Sequence, residues 1–136
     1  KLPSPIANKK YKWFDGAEGP MKNCKVVEIK DNNHLICEMP IEECHLNLMG
    51  GLHGSVSMQI IDSIGALVIM LTRPGEMNIS TDISTSFYSS AKLGDILEIH
   101  STLLKMGRKL AFIKCEIFEK STKRPIASGQ HTKYFI

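Results

Sequence analysis

The sequence predicts an α+β protein in which one buried helix lies on an antiparallel sheet. Two short runs of apolar and charged residues come first, and one long apolar stretch with helical spacing follows them. About four strand-like runs, rich in β-branched and aromatic residues, fill the rest of the chain. A helix that is apolar on every side needs cover, so this order favours a helix packed on one sheet. With 136 residues, the chain fits one domain.

The N-terminal residues 1–23 are predicted to form an arm that precedes the domain. They are rich in Pro, Gly and Lys and show little periodicity, with one short helical turn expected near Trp13 and Phe14. The domain itself is expected to span residues 24–136.

The first two strands are predicted over residues 24–31 and 34–41. Asn32 and Asn33 join them, and Asn tolerates the positive φ of a tight hairpin turn. These two strands are therefore expected to be antiparallel neighbours.

Residues 53–71 carry the strongest helical pattern in the chain. At about 100° per residue, one face is apolar, and the opposite face is apolar too except for one carboxylate, Asp62. The first face is lined by Val56, Ile60, Ile64, Leu67 and Leu71, and the opposite face by Met58, Ala66 and Ile69. Such a helix must be covered by a sheet or by a second subunit. Arg73, Pro74 and Gly75 are expected to end it.

Four further strands are predicted after the helix, over residues 77–90, 95–107, 108–120 and 124–136. In the third of these, apolar and charged side chains alternate, so one face meets a core. The apolar positions are Ala111, Ile113, Cys115 and Ile117, and the charged ones are Lys114 and Glu116.

The composition bounds the partners and the compartment. A formal charge of +3 is too small to indicate nucleic acid, although it suits a small anionic ligand. Polar residues interrupt the long apolar run, so no membrane span is expected. The four cysteines lack zinc-site spacing and are expected to be free and buried, which favours a reducing compartment. We expect a cytoplasmic or mitochondrial protein, and a cleaved targeting segment is compatible with the sequence.

The start of the helix, at His53 and Gly54, is a candidate site. The first backbone N–H groups of a helix lack intrahelical partners and carry the positive end of its dipole. They suit a carbonyl oxygen that gains negative charge, and glycine allows close approach. The alternative is that Gly50, Gly51 and Gly54 only make a turn and allow close packing.

Asp62 is the second candidate. It lies eight residues beyond Gly54, at a rise of about 12 Å, which is too far for both groups to act on one small group within one subunit. Across a symmetric pair of helices, Asp62 of one chain can approach Gly54 of the other. The alternative is a core carboxylate that is satisfied by hydrogen bonds.

The run EECHLNLMGGLHGSVSMQIIDSIGALV resembles the signature of hotdog-fold acyl-CoA thioesterases of the PaaI type. The likeness extends through ISTDISTSFYSSAKLGD, GRKLAF and GQHTKYF, and covers the chain from about residue 34 to its end. The resemblance implies a curved antiparallel sheet wrapped around one long central helix. It also implies that two subunits join their sheets edge to edge, and that pairs of such dimers form tetramers.

The resemblance also implies roles for single residues in hydrolysis of an acyl-CoA thioester, without a metal or cofactor. The Gly54 N–H would polarise the thioester carbonyl, with His53 organising the turn and Asn47 placing the carbonyl or the attacking water. Asp62 would come from the neighbouring subunit as general base or nucleophile, and Ser80 would help to hold the water.

Further residues are implied in substrate binding. Ser55 stands where the family has the second Gly of a His-Gly-Gly motif, and its side chain bears on acyl-chain fit or rate. Arg108, Lys109, His131 and Lys133 would lie near the nucleotide end of coenzyme A. The alternative for these basic residues is a solvated basic face.

Two other functions stay open beside acyl-CoA hydrolysis. One is a non-catalytic hotdog module that binds acyl-CoA or a protein, which would not need Asp62, Ser80 and Asn47 together. The other is a dehydratase of the same broad fold, for which an Asp-x-x-x-x-His pairing at the helix start is missing. The presence of all three residues favours the enzyme.

Overall fold

The computed structural model describes residues 16–136, so the turn predicted near Trp13 and Phe14 lies outside the described residues. Six antiparallel strands form one sheet: β1 Lys25–Lys30, β2 His34–Pro40, β3 Asn78–Phe87, β4 Ile96–Met106, β5 Leu110–Glu119 and β6 Pro125–Phe135. Their order in the sheet is β1-β2-β4-β5-β6-β3, which leaves β1 and β3 at the edges. The predicted α+β class and all six predicted strands are confirmed.

One continuous helix, α1, runs over Gly54–Leu71 and packs on this sheet. It begins as an α-helix over Gly54–Gln59, widens to a π-helix over Ile60–Ile64 and ends as a 3-10 helix over Gly65–Leu71. Its buried apolar side chains are Val56, Ile60, Ile61, Ile64, Val68 and Ile69. They meet the buried side chains of the sheet, including all four apolar positions predicted for β5.

The position of Ile69 corrects the predicted helix faces. The sequence pattern groups Ile69 with Met58 and Ala66, on the face opposite Val56 and Ile60, but in the structure Ile69 is buried with Val56 and Ile60. The prediction used a uniform angular step, whereas the π turn and the 3-10 turns that follow change that step along the helix.

By length and composition alone, α1 is apolar enough to cross a membrane. In the structure it instead contacts β4, β5 and β6 through its buried side chains. That is the packing of a core helix, which passes the same test of length and composition.

One side of α1 is left uncovered in the single protomer. Met58 is 46% exposed, and the Asp62 side chain is 45% exposed. Ala66, one turn further on, is partly exposed as well. The carboxylate in the middle of the apolar helix therefore lies on its open side and not in the core.

The first hairpin turns one residue earlier than predicted. Asp31 and Asn32 have φ values of 52° and 55°, and the Asn33 N–H donates to the Lys30 carbonyl at 3.2 Å. Asp, like Asn, tolerates the left-handed conformation. The turn therefore uses Asp31 and Asn32, and Asn33 keeps a negative φ.

The segment before β1 packs on the domain. Gly19–Met21 form a short 3-10 helix, and Met21 is 1% exposed within the hydrophobic core. The described part of the predicted arm, residues 16–23, thus contributes to the core.

The cysteines are free, as predicted, but not all of them are buried. Cys37 and Cys115 lie in the core, whereas Cys44 is exposed in a loop. Burial raises the pKa of the Cys115 thiol to about 12. Sequence spacing does not distinguish a loop thiol from a core thiol, which is why the prediction for Cys44 was wrong.

Candidate active site

The first half of the site is the start of α1. His53 is the N-cap residue, and its Nδ1 accepts the Ser55 N–H at 3.0 Å. The Ser55 hydroxyl also lies 2.7 Å from this nitrogen. The Gly54 N–H is the first of the helix and has no intrahelical partner. His53 therefore satisfies one amide of the helix start and leaves that of Gly54 for another acceptor.

The surroundings of Gly50, Gly51 and Gly54 show where a turn or close packing requires glycine. A Cβ on Gly54 would lie 3.3 Å from a ring carbon of Phe87, at the end of β3. A Cβ on Gly51 would lie 2.6 Å from the Ser90 hydroxyl oxygen, and Gly50 has a φ of +81°. The positive φ of the turn explains Gly50 and close packing explains Gly51, whereas at Gly54 close packing and an available amide coincide.

Asn47 lies in the loop that leads into the helix. Its side-chain oxygen accepts the backbone N–H groups of Met49 at 2.9 Å and Gly51 at 3.1 Å. Within residues 16–136, its side-chain NH2 makes no hydrogen bond, so its donor capacity remains for a substrate oxygen or a water.

The second half of the site surrounds Asp62. Asp62 Oδ1 accepts the Ser80 hydroxyl at 2.7 Å. It lies 3.3 Å from His131 Nε2 and 4.0 Å from the Lys133 ammonium. His131 Nε2 lies 2.8 Å from the Ser80 oxygen. A partly exposed carboxylate is thus held from one side by a hydroxyl and two basic groups.

The hydrogen-bond chain fixes the direction of its protons. An ionised carboxylate only accepts, so the Ser80 proton points to Asp62, and the Ser80 oxygen accepts the Nε2–H of His131. His131 is 1% exposed, and its Nδ1 has no partner in the described part of the chain. Burial lowers the pKa of His131, and the positive charge of Lys133 lowers it further. His131 is therefore a neutral donor at neutral pH.

The structure separates the basic residues that were predicted to bind substrate. His131 and Lys133 face Asp62, and burial lowers the pKa of Lys133 while the Asp62 charge opposes this effect. Arg108 and Lys109 lie exposed in the turn between β4 and β5. The Arg108 carbonyl accepts a bond from Arg73 at 3.2 Å, and the Lys109 ammonium lies 5.6 Å from the Tyr134 ring centre.

The two halves of the site lie at opposite ends of β3. Ser80 near its start binds Asp62, and Phe87 at its end packs on Gly54. Sequence reasoning missed Phe87, since an aromatic residue in a strand gives no signal of its own. Strand periodicity does indicate that the His131 side chain points inward. Its cross-strand neighbours, Ile83 and Ile113, lie on the same face of the sheet.

A six-stranded antiparallel sheet packed on one long helix is the arrangement of the hotdog fold. Residues 49–126 match the family model described as the Thioesterase superfamily. The chain belongs to this superfamily and is a thioester hydrolase. The family resemblance of the sequence is confirmed.

Individual relatives agree with this assignment. The chain is 40% identical to acyl-coenzyme A thioesterase 13 of Mus musculus over 100 residues, which cover 74% of this chain and 71% of that protein. The same enzyme of Homo sapiens is 38% identical over equal shares. The crystal structure of zebra fish thioesterase superfamily member 2 matches with a TM-score of 0.84 and 29% identity, over 98% of this chain and 92% of that chain.

Proposed function

We propose that this protein hydrolyses acyl-coenzyme A thioesters to the free acid and coenzyme A. Its relatives named acyl-coenzyme A thioesterase 13 support this substrate class. The observation that carries the proposal is the pair of groups at the two ends of β3. The Asp62 carboxylate lies at one end, and the Gly54 amide lies at the other.

The proposed active unit is a homodimer that joins two copies of β3 edge to edge. This edge strand exposes 51% of Ile79 and 55% of Phe87 in the single protomer, and an open apolar edge favours strand pairing. Antiparallel pairing about Ile83 and Ser84 would place the start of one β3 opposite the end of the other. Asp62 would then face Gly54 of the partner subunit, which the rise of about 12 Å along one helix does not allow within a protomer.

In the proposed mechanism, the thioester carbonyl oxygen accepts the N–H of Gly54 of the partner subunit, and Asn47 there donates its side-chain amide. Asp62 takes a proton from a water molecule while the oxygen of that water attacks the carbonyl carbon. The C–S bond breaks, and that proton passes to the thiolate of coenzyme A. In the second route, Asp62 attacks the carbonyl carbon itself, and the thiolate of coenzyme A leaves to give a mixed anhydride between Asp62 and the acyl group. Water that hydrolyses this anhydride at the Asp62 carbonyl would place labelled oxygen in the Asp62 carboxylate during a single turnover, whereas the general-base route places it in the product acid.

The remaining groups support this chemistry. Ser80 orients Asp62 and helps to hold the water, and His53 keeps the helix start in place. We propose that Lys133, whose ammonium lies 4.0 Å from Asp62 Oδ1, and His131, which bonds Ser80, hold the Asp62 side chain in place from behind. Arg108 and Lys109 would meet the phosphates of coenzyme A, and Ser55 would border the acyl group.

A larger assembly and a compartment belong to the same proposal. Pairing of two dimers would give a tetramer, which light scattering would distinguish from a dimer. Four free thiols support a reducing compartment, in the cytoplasm or the mitochondrion.

Thiol release from acetyl, phenylacetyl and long-chain acyl-CoA substrates tests the proposal, with Asp62→Asn as the matched variant. Loss of a general base is expected to lower kcat by about 10²- to 10⁴-fold. Undiminished kcat in Asp62→Asn would remove Asp62 from the mechanism. Tight acyl-CoA binding without turnover by the unaltered protein would instead favour the non-catalytic binding module.

A further inference from the structure

The loop that carries Asn47 and leads to Gly54 is a small closed hairpin. At its base, the His53 N–H donates to the His45 carbonyl at 2.8 Å. Further in, the Asn47 N–H donates to the Gly51 carbonyl at 2.7 Å, and Leu46 pairs with Leu52. The backbone of His45 therefore sets the position of the residue that immediately precedes Gly54.

The His45 side chain anchors this hairpin from below. It is fully buried, and its Nδ1 accepts the backbone N–H of Glu42 at 2.9 Å. Its Nε2 lies 2.6 Å from the carbonyl oxygen of Pro20, in the segment before β1. Since a carbonyl only accepts, the proton resides on Nε2 and the lone pair on Nδ1. Both ring nitrogens are thus used, and neither is available to a substrate.

We infer that His45 is a positioning residue that holds the carbonyl-binding hairpin, with Asn47 and the Gly54 amide, against the core. The inference rests on the proposed role of Gly54. It extends that role, because His45 touches no reacting atom and acts through two backbone carbonyls, its own and that of Pro20.

The anchor joins two parts of the chain that are distant in sequence. The segment before β1 is itself tied to α1, since Ser63 donates to Glu18 at 2.9 Å and Gln59 donates to the Ala17 carbonyl. Through His45 and this segment, the helix start is tied to the second and third turns of the same helix, at Gln59 and Ser63. The amide of Gly54 and the carboxylate of Asp62 thereby share one rigid support within the protomer.

Single hydrogen bonds of the anchor are separable by substitution. His45→Gln keeps a donor at the reach of Nε2, whereas His45→Asn keeps an acceptor at the reach of Nδ1. Each loses one bond, and we expect kcat on acyl-CoA to fall by about tenfold in each. His45→Ala loses both bonds, and a misplacement on the order of 1 Å is expected to cost about 10²-fold. KM should change by less than about threefold, because the loss falls on the transition state.

Asn23→Ala is the matched control. It removes the bond from Asn23 to the Glu42 side chain at 2.5 Å, in the same segment, but leaves the His45 ring untouched. We expect it to lower Tm while kcat stays within twofold of the unaltered protein. Amide hydrogen exchange at His53 supplies a readout that does not depend on turnover, and it should quicken in the His45 variants but not in Asn23→Ala.

The outcomes separate this inference from the proposed function. Unaltered kcat and unaltered His53 exchange in His45→Gln and His45→Asn would overturn the inference. Equal losses of kcat in Asn23→Ala would also overturn it, since they would show a general effect of stability. An unaltered protein that fails to hydrolyse any acyl-CoA, with faster His53 exchange in the His45 variants, would overturn the proposed function and leave the anchor intact.

Discussion

Removal of the Ser80 hydroxyl tests whether the Asp62 cluster works as a unit. Ser80→Ala deletes the 2.7 Å bond to Asp62 Oδ1 and the 2.8 Å bond from His131 Nε2. His131 then has Asp62 Oδ1 as its nearest acceptor, at 3.3 Å. We expect the carboxylate to be drawn toward His131 and away from the position that serves the water.

The magnitudes follow from these contacts. A hydrogen bond to a charged group contributes about 1.5–3 kcal/mol, and about 1.4 kcal/mol corresponds to a factor of ten in rate. Ser80→Ala should therefore lower kcat by about 10- to 10²-fold. The free energy of unfolding should fall by only about 1–2 kcal/mol, because His131 Nε2 exchanges one acceptor for another.

The assay is thiol release at saturating acyl-CoA, in a double-mutant cycle with Asp62→Asn. Because Ser80 acts through Asp62, adding Ser80→Ala to Asp62→Asn should change kcat by less than about twofold. Ser121→Ala is the control, since it deletes a hydroxyl bond of 2.8 Å to another carboxylate, Glu119, in the turn between β5 and β6 and apart from the cluster. A kcat within twofold of the unaltered protein for Ser80→Ala, or multiplicative effects of the two substitutions, would refute the reasoning.

Three other properties of the chain can be tested in the same preparations. Hydrogen bonds from Thr122 and Ser121 lower the pKa of Glu119 to about 2. The stability that this lowered folded-state pKa contributes is present above the ordinary pKa of Glu and is lost as pH falls toward 2. Glu119→Gln should therefore flatten the decline in unfolding free energy between about pH 5 and pH 3. An equally steep decline in the variant would refute this. A thiol reagent should modify the exposed Cys44 rapidly in the native protein and Cys115 only on unfolding, as mass spectrometry of the labelled peptides would show. In Gly54→Ala, the added Cβ would press on the Phe87 ring at 3.3 Å and shift the Gly54 amide, so kcat should fall. The free energy of unfolding should change by less than about 1 kcal/mol. Unchanged kcat would argue against a role of the Gly54 amide in catalysis.

The fold was predictable because its signals are local and strong. The alternation in β5 places Ala111, Ile113, Cys115 and Ile117 in the core, as the strand period requires. The start of α1 near His53 is indicated by the glycines before it, and its end by Pro74 and Gly75 after it. What failed was geometry that depends on the whole molecule: the π turn that turns Ile69 inward, and the choice of Asp31 over Asn33 in the hairpin.

The site was predictable only as far as its residues carry chemical signals. Asp62 is conspicuous as a carboxylate on an apolar helix, and the helix start is marked by glycines. The family resemblance groups His131 and Lys133 with Arg108 and Lys109, near the nucleotide end of coenzyme A. Strand order and the bulge between Ser80 and Asp82 decide instead that the first two face Asp62. His45 gives no signal beyond its identity, since its role depends on burial and on two backbone partners.

The division of the site along β3 gives a physical reason for the uncovered side of α1. In a lone protomer, the strip of α1 with Met58 and Asp62 is open to solvent, so its apolar surface is not buried. The free edge of β3 also leaves backbone N–H and C=O groups unpaired. Antiparallel pairing of two β3 strands would cover both features and would bring the carboxylate to the amide of the other copy. Dilution below the dimer dissociation constant should therefore remove thioesterase activity and lower Tm together. Full specific activity in a protein shown by light scattering to be monomeric would exclude a shared site.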